Sequence, residues 1–326
     1  MRYPTGLSAA ASVTVLVASA LTVLPAVAAS AAPATLAYHA VDLGTLGGAA
    51  SAATAMNDRG TVVGWSLTAE GARHAFVWRN GVMTDLGVLP GHVESTAVDV
   101  NERGEVVGTS TGPELITRAV LWRNGQMIDL GTLGGDYSEA VAVNDRGQVL
   151  GLSNPATDIP HRVVWQDGAI IDLGRQDFYE LTTGFNNRGD VVGTFNVSPY
   201  DYPCTCVGGR LRDGVVTPVG DQATAINNLG HVVGVANGRA FRWRAGVLAD
   251  LGTLGGATSR ATAVNDLGVV LGSADTAAGV RRPVLWGVGR TVDLTAHGLG
   301  TTDLVNDLDT RNRLVGSRAG RATLFR

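Results

Sequence analysis

The chain has 326 residues, 45% of them hydrophobic and only 6% aromatic, so a sizeable core has to be built from small aliphatic side chains. All 25 cations are Arg, which excludes Schiff-base and P-loop lysine chemistry, and a net charge of -4 with 17% charged residues argues against a nucleic-acid binder. Gly is abundant at 44, but it is spread evenly beside only 11 Pro, so the chain is not a disordered low-complexity one.

Residues 1–32 read as an export signal and short linker. Arg2 supplies a positive start, Leu7 to Val27 is an apolar run, and Ala26-Val27-Ala28 is a small-x-small cleavage site, with Ala29-Ser30-Ala31 as a second candidate. A membrane anchor is the alternative, since the run is just long enough to span a bilayer, but it holds Pro25 and is packed with Ala and Ser. No later segment is a transmembrane candidate. The expectation is a secreted monomer with no membrane span after cleavage and one domain over 33–326.

That domain is one unit repeated seven times. A seven-residue stretch ending in Asn recurs at Ser51–Asn57, Ser95–Asn101, Ser138–Asn144, Glu180–Asn186, Asp221–Asn227 and Ser259–Asn265, with Asp303–Asp309 as the seventh copy. Seven residues after each comes a Gly that closes a Val-Val-Gly-like stretch: Gly64, Gly108, Gly151, Gly193, Gly234, Gly272 and Gly316. The first copy divides into four strands. Strand a covers 51–57, and Asn57-Asp-Arg-Gly60 is a tight turn. Strand b covers 61–67 and strand c 73–79, Asn80-Gly81 is a hairpin signal, and strand d covers 82–87. Helix signals are absent.

Four antiparallel strands in about 40 to 45 residues is the arithmetic of a β-propeller blade. The ends strengthen the case. Ala40-Val41-Asp42-Leu43-Gly44 is a lone strand d, and Arg321 to Arg326 is a strand c without its d. Joining them closes a seven-bladed ring and removes two exposed edges. An open β-solenoid is the alternative, and it needs no complementary half-blades.

Comparing the copies predicts a cross-strand ion pair in each normal blade. Four residues before the strand c Trp stand His74, Arg118, His161, Arg239 and Arg282, each with an Asp eleven residues on: Asp85, Asp129, Asp172, Asp250 and Asp293. Arg321 would reach Asp42 across the closure. In the fourth copy both positions change together, to Val207 and Pro218. One diagonal step separates such residues on a sheet face, within reach of long side chains, so the pairs are read as structural. Trp78, Trp122, Trp165, Trp243 and Trp286 are read as blade-to-blade core.

The recurring pattern His-Ala-Phe-x-Trp, Asp-Leu-Gly-Thr-Leu-Gly-Gly, Ala-x-Asn-x-x-Gly-x-Val-x-Gly resembles the HAF-repeat proteins over nearly all of 38–326, His74-Ala75-Phe76 being its full signature here. The resemblance implies a secreted bacterial repeat protein and brings no catalytic residues. Other copies carry Arg or Val at the His position.

A site is expected on the face of the b–c and d–a loops, which vary in length and converge on the axis. The d–a departures from Gly-Thr-Leu-Gly-Gly supply the candidate ligand-binding residues His92, Glu94, Asp136, Tyr137, Arg175, Asp177, Phe178, Tyr179, Asp221 and His297. Glu180, Asp221 and Asp303 replace Ser at the start of strand a and are weak candidates for a cation. Cys204 and Cys206, two residues apart in the longest b–c loop, are a candidate disulfide, strained by that spacing. Gly108-Thr-Ser110-Thr-Gly112 matches a nucleophile motif without the strand-to-helix turn it requires. These observations lead to a non-catalytic binding or scaffold module, without cofactor, for a glycan, a cell-wall component or an extracellular protein. An extracellular glycan hydrolase or lyase is the rival, and a purely structural surface protein the third reading.

Overall fold

The computed structural model describes residues 37–156, 159–176, 181–197, 205–287 and 289–326, and the segment read as an export signal lies outside them. Seven four-stranded antiparallel sheets form a seven-bladed β-propeller. Blade 1 runs Gly47–Met56, Val62–Thr68, Arg73–Arg79 and Val82–Asp85 as strands a to d. Blade 7 takes Leu304–Leu308, Leu314–Arg318 and Arg321–Phe325 from the end of the chain and Ala40–Asp42 from its start, paired Ala40 to Phe325 and Asp42 to Thr323.

Strand b explains why the core can lack large side chains. Its two leading aliphatics point to opposite faces, as strand geometry requires. Val62 packs between blades 7 and 1, Val63 between blades 1 and 2, Val106 again between 1 and 2, and Val107 between 2 and 3. The same alternation runs round to Leu314 and Val315, so each blade is buried on both faces and the core is divided into seven inter-blade clusters. The a–b turns work through Asn: in blade 1, Asn57 Oδ1 accepts the Thr61 N–H at 3.0 Å, and Gly60 takes φ +83°. In blade 7 Asn312 holds the same left-handed position at φ +60°.

Three details differ from the sequence expectations. Gly47 and Gly48 belong to strand a rather than to a loop, as do the equivalent pairs in blades 3 and 6, because a shift in register between Gly47 and Ser51 lets the chain continue along strand b. Strand d of blade 1 stops at Asp85, while that of blade 3 runs longer, over Ala169–Arg175. Among the described residues two short 3-10 turns occur, Pro113–Leu115 and Leu294–His297.

Candidate functional site

The described loop-face candidates are placed separately. Asp177, Phe178, Tyr179 and Glu180 lie outside the described residues, as does Cys204, while Cys206 is disulfide-bonded. His92 packs its ring toward Gly112 of its own b–c loop. Glu94 opens strand a of blade 2, and Asp136 and Tyr137 lie within strand a of blade 3. Burial, followed by a hydrogen bond to Glu139, pushes the Tyr137 phenol up. Arg175 ends strand d of blade 3, and His297 ends the 3-10 turn of blade 6, where its carbonyl accepts the Tyr38 N–H. Asp221 accepts the Asn237 N–H at 2.7 Å. None of the described candidates lines the central channel or the cavities between blades 2 and 3 and between blades 5 and 6.

Of the weak cation candidates, Glu180 lies outside the described residues, while Asp221 and Asp303 hold protein groups. Asp303 is 8% exposed and is gripped by Arg318 at 2.6 Å, with the Gly300 N–H on the same carboxylate. Among the described residues no three His, Cys, Asp or Glu side chains converge as a metal site would require. Ser110 of the nucleophile-like motif is buried in strand b, where its Oγ accepts the Leu89 N–H at 3.1 Å. That bond ties down the d–a loop.

The inter-strand pairs stand within bonding distance. His74 and His161 place Nδ1 2.8 Å from Asp85 and Asp172, and Arg118, Arg239, Arg282 and Arg321 reach Asp129, Asp250, Asp293 and Asp42 at 2.7 to 3.3 Å. The second carboxylate oxygen usually accepts the N–H two residues on, as Asp85 does from Gly87 at 2.7 Å. Burial pushes the Asp172 carboxyl up, but the Gly174 N–H and His161 outweigh it and hold it below the usual range.

A central channel opens on the opposite face, that of the a–b turns. It is about 360 Å³ and is lined by the last residues of all seven strands a. Two rings of hydrogen bonds build it. In the inner ring each Asn Nδ2 donates to the main-chain carbonyl of the next blade's Asn: Asn57 to Asn101, Asn101 to Asn144, and so on to Asn265, which reaches Asp309 at 2.8 Å. In the outer ring the next turn residue's N–H donates to a side-chain oxygen one blade further on. Asp58 bonds Glu102, Glu102 bonds Asp145, Asp145 bonds Asn187, Asn187 bonds Asn228, and Asn228 bonds Asp266. Across the closure of the ring, the Thr310 N–H reaches Asp58 Oδ1 at 2.8 Å. Sequence comparison passed over these residues because they look like ordinary turn formers. The available signal was a side-chain oxygen at that column in every copy.

Two further acids enter the channel, at a column that is Ala or Gly in the other five blades. Asp99 accepts the Val100 N–H and, across the blade boundary, the Val143 N–H, both at 2.8 Å. Asp307 does the same with Leu308 at 2.8 Å and Met56 at 3.0 Å, spanning the closure of the ring. Burial pushes Asp99 up to about 6 and Asp307 up to about 7, and their mutual repulsion adds to the rise in Asp307. The folded state therefore holds protons that the unfolded chain releases near pH 4. The resulting stability is fully present below that pH and is lost as the pH rises through about 6 to 7. Both side chains line the channel and are half-buried, so the loss between about pH 5 and pH 8 is expected to be about 2 kcal/mol. Urea midpoints of the chain and of Asp99→Ala/Asp307→Ala across that range test this: the variant's profile should be flatter.

No family model matches the chain, and no curated protein does. Solved structures do. The propeller domain of the Trilobed protease from Pyrococcus furiosus aligns with a TM-score of 0.56 at 8% identity, over 85% of this chain and 95% of that one. The acylaminoacyl peptidase of Pyrococcus horikoshii gives 0.56 at 10% identity, over 87% of this chain and 52% of the peptidase. YCF48 bound to a D1 peptide gives 0.54 at 12% identity, over 91% and 99%. At these identities the likeness is one of fold. Among the described residues no helix is long and apolar enough to cross a membrane.

Proposed function

We propose that the protein is a secreted, non-catalytic binding module of the HAF-repeat type, whose ligand is a glycan, a cell-wall component or an extracellular protein. The observation that carries this reading is the employment of the axial carboxylates. Asp58, Asp99, Glu102, Asp145, Asp266, Asp307 and Asp309 each accept at least one main-chain N–H, mostly across a blade boundary. They cement a rigid ring, and such a ring presents groups at fixed spacing to a partner. One of the similar propellers is described as bound to a peptide, which supports keeping a protein ligand in view.

A glycan hydrolase or lyase is the second reading, and one observation favours it. Asp307, pushed up to about 7 and coupled to Asp99, sits in the range of a general acid at neutral pH. A thermal-shift screen of the chain against soluble cell-wall and plant glycans, run beside a reducing-end assay on the same glycans, separates the two. Binding modules raise the melting temperature with ligand and release no reducing ends. Turnover that disappears in Asp307→Asn would establish the enzyme instead.

A further inference from the structure

We propose that the face of the a–b turns docks on a lipid bilayer with anionic headgroups. This contact is separate from the ligand of the binding-module reading, and it leaves the b–c and d–a loops turned away from the membrane. One column of the repeat points to it. Each a–b turn has four residues, and the third is its tip: Arg59, Arg103, Arg146, Arg188 and Arg311 in five blades, Leu229 in blade 5 and Leu267 in blade 6. The two leucines are 55% and 66% exposed and stand on adjacent blades. Their turns are clamped together, since the Asn228 N–H and Nδ2 donate to the two carboxylate oxygens of Asp266, each at 2.9 Å. Single exposed apolar side chains are ordinary on a protein surface. Two held side by side, where every other copy carries arginine, mark a contact face.

Blade 5 shows the same exchange again at its c–d turn, which opens on the same face. Ala245 takes the left-handed position, at φ +48°, that Asn80, Asn124, Asp167 and Asp213 hold in blades 1 to 4. Alanine lacks the side-chain oxygen that lets Asn and Asp tolerate this conformation, so the exchange works against stability. Val247, two residues on, is 50% exposed. Leu229, Ala245, Val247 and Leu267 therefore give one sector of the face an apolar surface.

Shape and charge select the occupant. Every a–b turn is closed by the same bond, from the N–H of its fourth residue to the carbonyl of its first, at 2.9 to 3.0 Å in all seven blades. Equal turns on equivalent blades set their tips at one level, so the face is flat around the channel mouth and suits a plane. Asp58, Glu102, Asp145 and Asp266 stand one residue before the tips, half-buried against the neighbouring turns, whereas the tips are exposed. The outermost charge is therefore cationic. Arg59 reaches Glu102 at 3.8 Å and Arg103 holds Glu105 at 2.6 Å, but among the described residues Arg146, Arg188, Arg311 and Arg244, which ends strand c of blade 5, have no carboxylate partner. Arg188 and Arg311 flank the leucine pair on blades 4 and 7, so a second copy related by a two-fold axis would set arginine against arginine. A soluble polyanion would satisfy the arginines and leave the leucines in water. An anionic bilayer meets both, with phosphate oxygens for the guanidiniums and hydrocarbon beneath them for the leucines.

Flotation of residues 33–326 with lipid vesicles tests this. The ring closes between Ala40 and Phe325, so residues 1–32, whose apolar run would itself bind lipid, are left off. Vesicles of equal parts phosphatidylglycerol and phosphatidylcholine should bind at least about tenfold more tightly than phosphatidylcholine alone, and the difference should shrink as salt rises. Arg146→Gln/Arg188→Gln should weaken binding about tenfold, and Leu229→Gln/Leu267→Gln by about as much. Val280→Gln, at a 47% exposed position in a b–c loop, should leave binding unchanged, with melting curves confirming that every variant is folded. No binding, or equal binding to the two kinds of vesicle, would overturn the proposal. Vesicle binding that ignores Leu229→Gln/Leu267→Gln and is competed by long-chain polyphosphate would make the face a polyanion site instead. A dimer in sedimentation velocity that Leu229→Gln/Leu267→Gln dissolves, with no vesicle binding, would assign the apolar sector to a second copy. Each of these results leaves the binding-module reading where it stands.

Discussion

Asn144→Asp is expected to lower stability by about 3 kcal/mol or more, and Gln148→Arg in the same chain to return about 2 kcal/mol of that loss. Asn144 is 3% exposed and serves two purposes at once. Its Oδ1 accepts the Arg146 and Gln148 N–H groups at 3.0 and 3.1 Å, which closes the a–b turn. Its Nδ2 donates to Gln148 Oε1 at 2.7 Å and to the Asn186 carbonyl of the next blade at 3.1 Å. Aspartate keeps the acceptor but removes the donor and leaves a buried charge facing a carbonyl. Blade 7 contains the solved form of this problem. Asp309, 2% exposed, stands in the Asn column, and Arg313 four residues later binds its carboxylate at 2.6 Å. The same guanidinium donates to the Asp58 carbonyl of blade 1 at 3.3 Å, replacing the missing amide across the boundary. Gln148 occupies the position of Arg313, so the double variant transplants the pair. Urea midpoints of the four proteins of the cycle measure the coupling. Simple additivity would mean that Arg313 does not support Asp309 in this way.

Whatever repeats along the chain was legible before the fold was seen. The strand count, the two half-blades and the partners of His74 and Asp85 follow from comparing copies, because each concerns contacts within one blade or at its closure. What escaped concerns contacts between blades. Asp58, Glu102 and Asp145 look like turn residues in a single copy, and only the separation of neighbouring strands a places their oxygens against the next turn. Asp303 looked like a cation ligand because its partner Arg318 stands fifteen residues away, at the end of strand b, and both change in the same blade. The candidate loop residues were too widely separated to judge from sequence, since loop lengths give direction but no distance. The tryptophan column is the clearest limit. Trp122 and Trp286 are the same residue in the same column, and only the seating of the ring decides whether the buried indole N–H meets a carbonyl or is left unmet.

Gly272→Ala should cost about 3 kcal/mol or more, whereas Gly287→Ala in the same blade should cost about 0.5 kcal/mol or less. The contrast isolates the reason a Gly stands third in strand b in every copy. Strand a carries a shift in register between Ala261 and Ala263, opposite Gly272, and the shift brings the Arg260 carbonyl onto the point a Cβ would occupy. On the other side Trp286 stands 2.7 Å from that point. A methyl group must therefore part strands a and b or unseat a fully buried indole, and neither neighbour is a flexible side chain. At Gly287 nothing lies within 4 Å and φ is not left-handed, so alanine enters freely. Urea midpoints of the two variants give the comparison, and tryptophan emission of Gly272→Ala reports on Trp286 directly. If the two substitutions were equally harmless, close approach of the carbonyl could not be what holds glycine in this column. If Gly272→Ala were costly but left the emission unchanged, the strain would lie in the a–b ladder alone, and the indole would be a bystander.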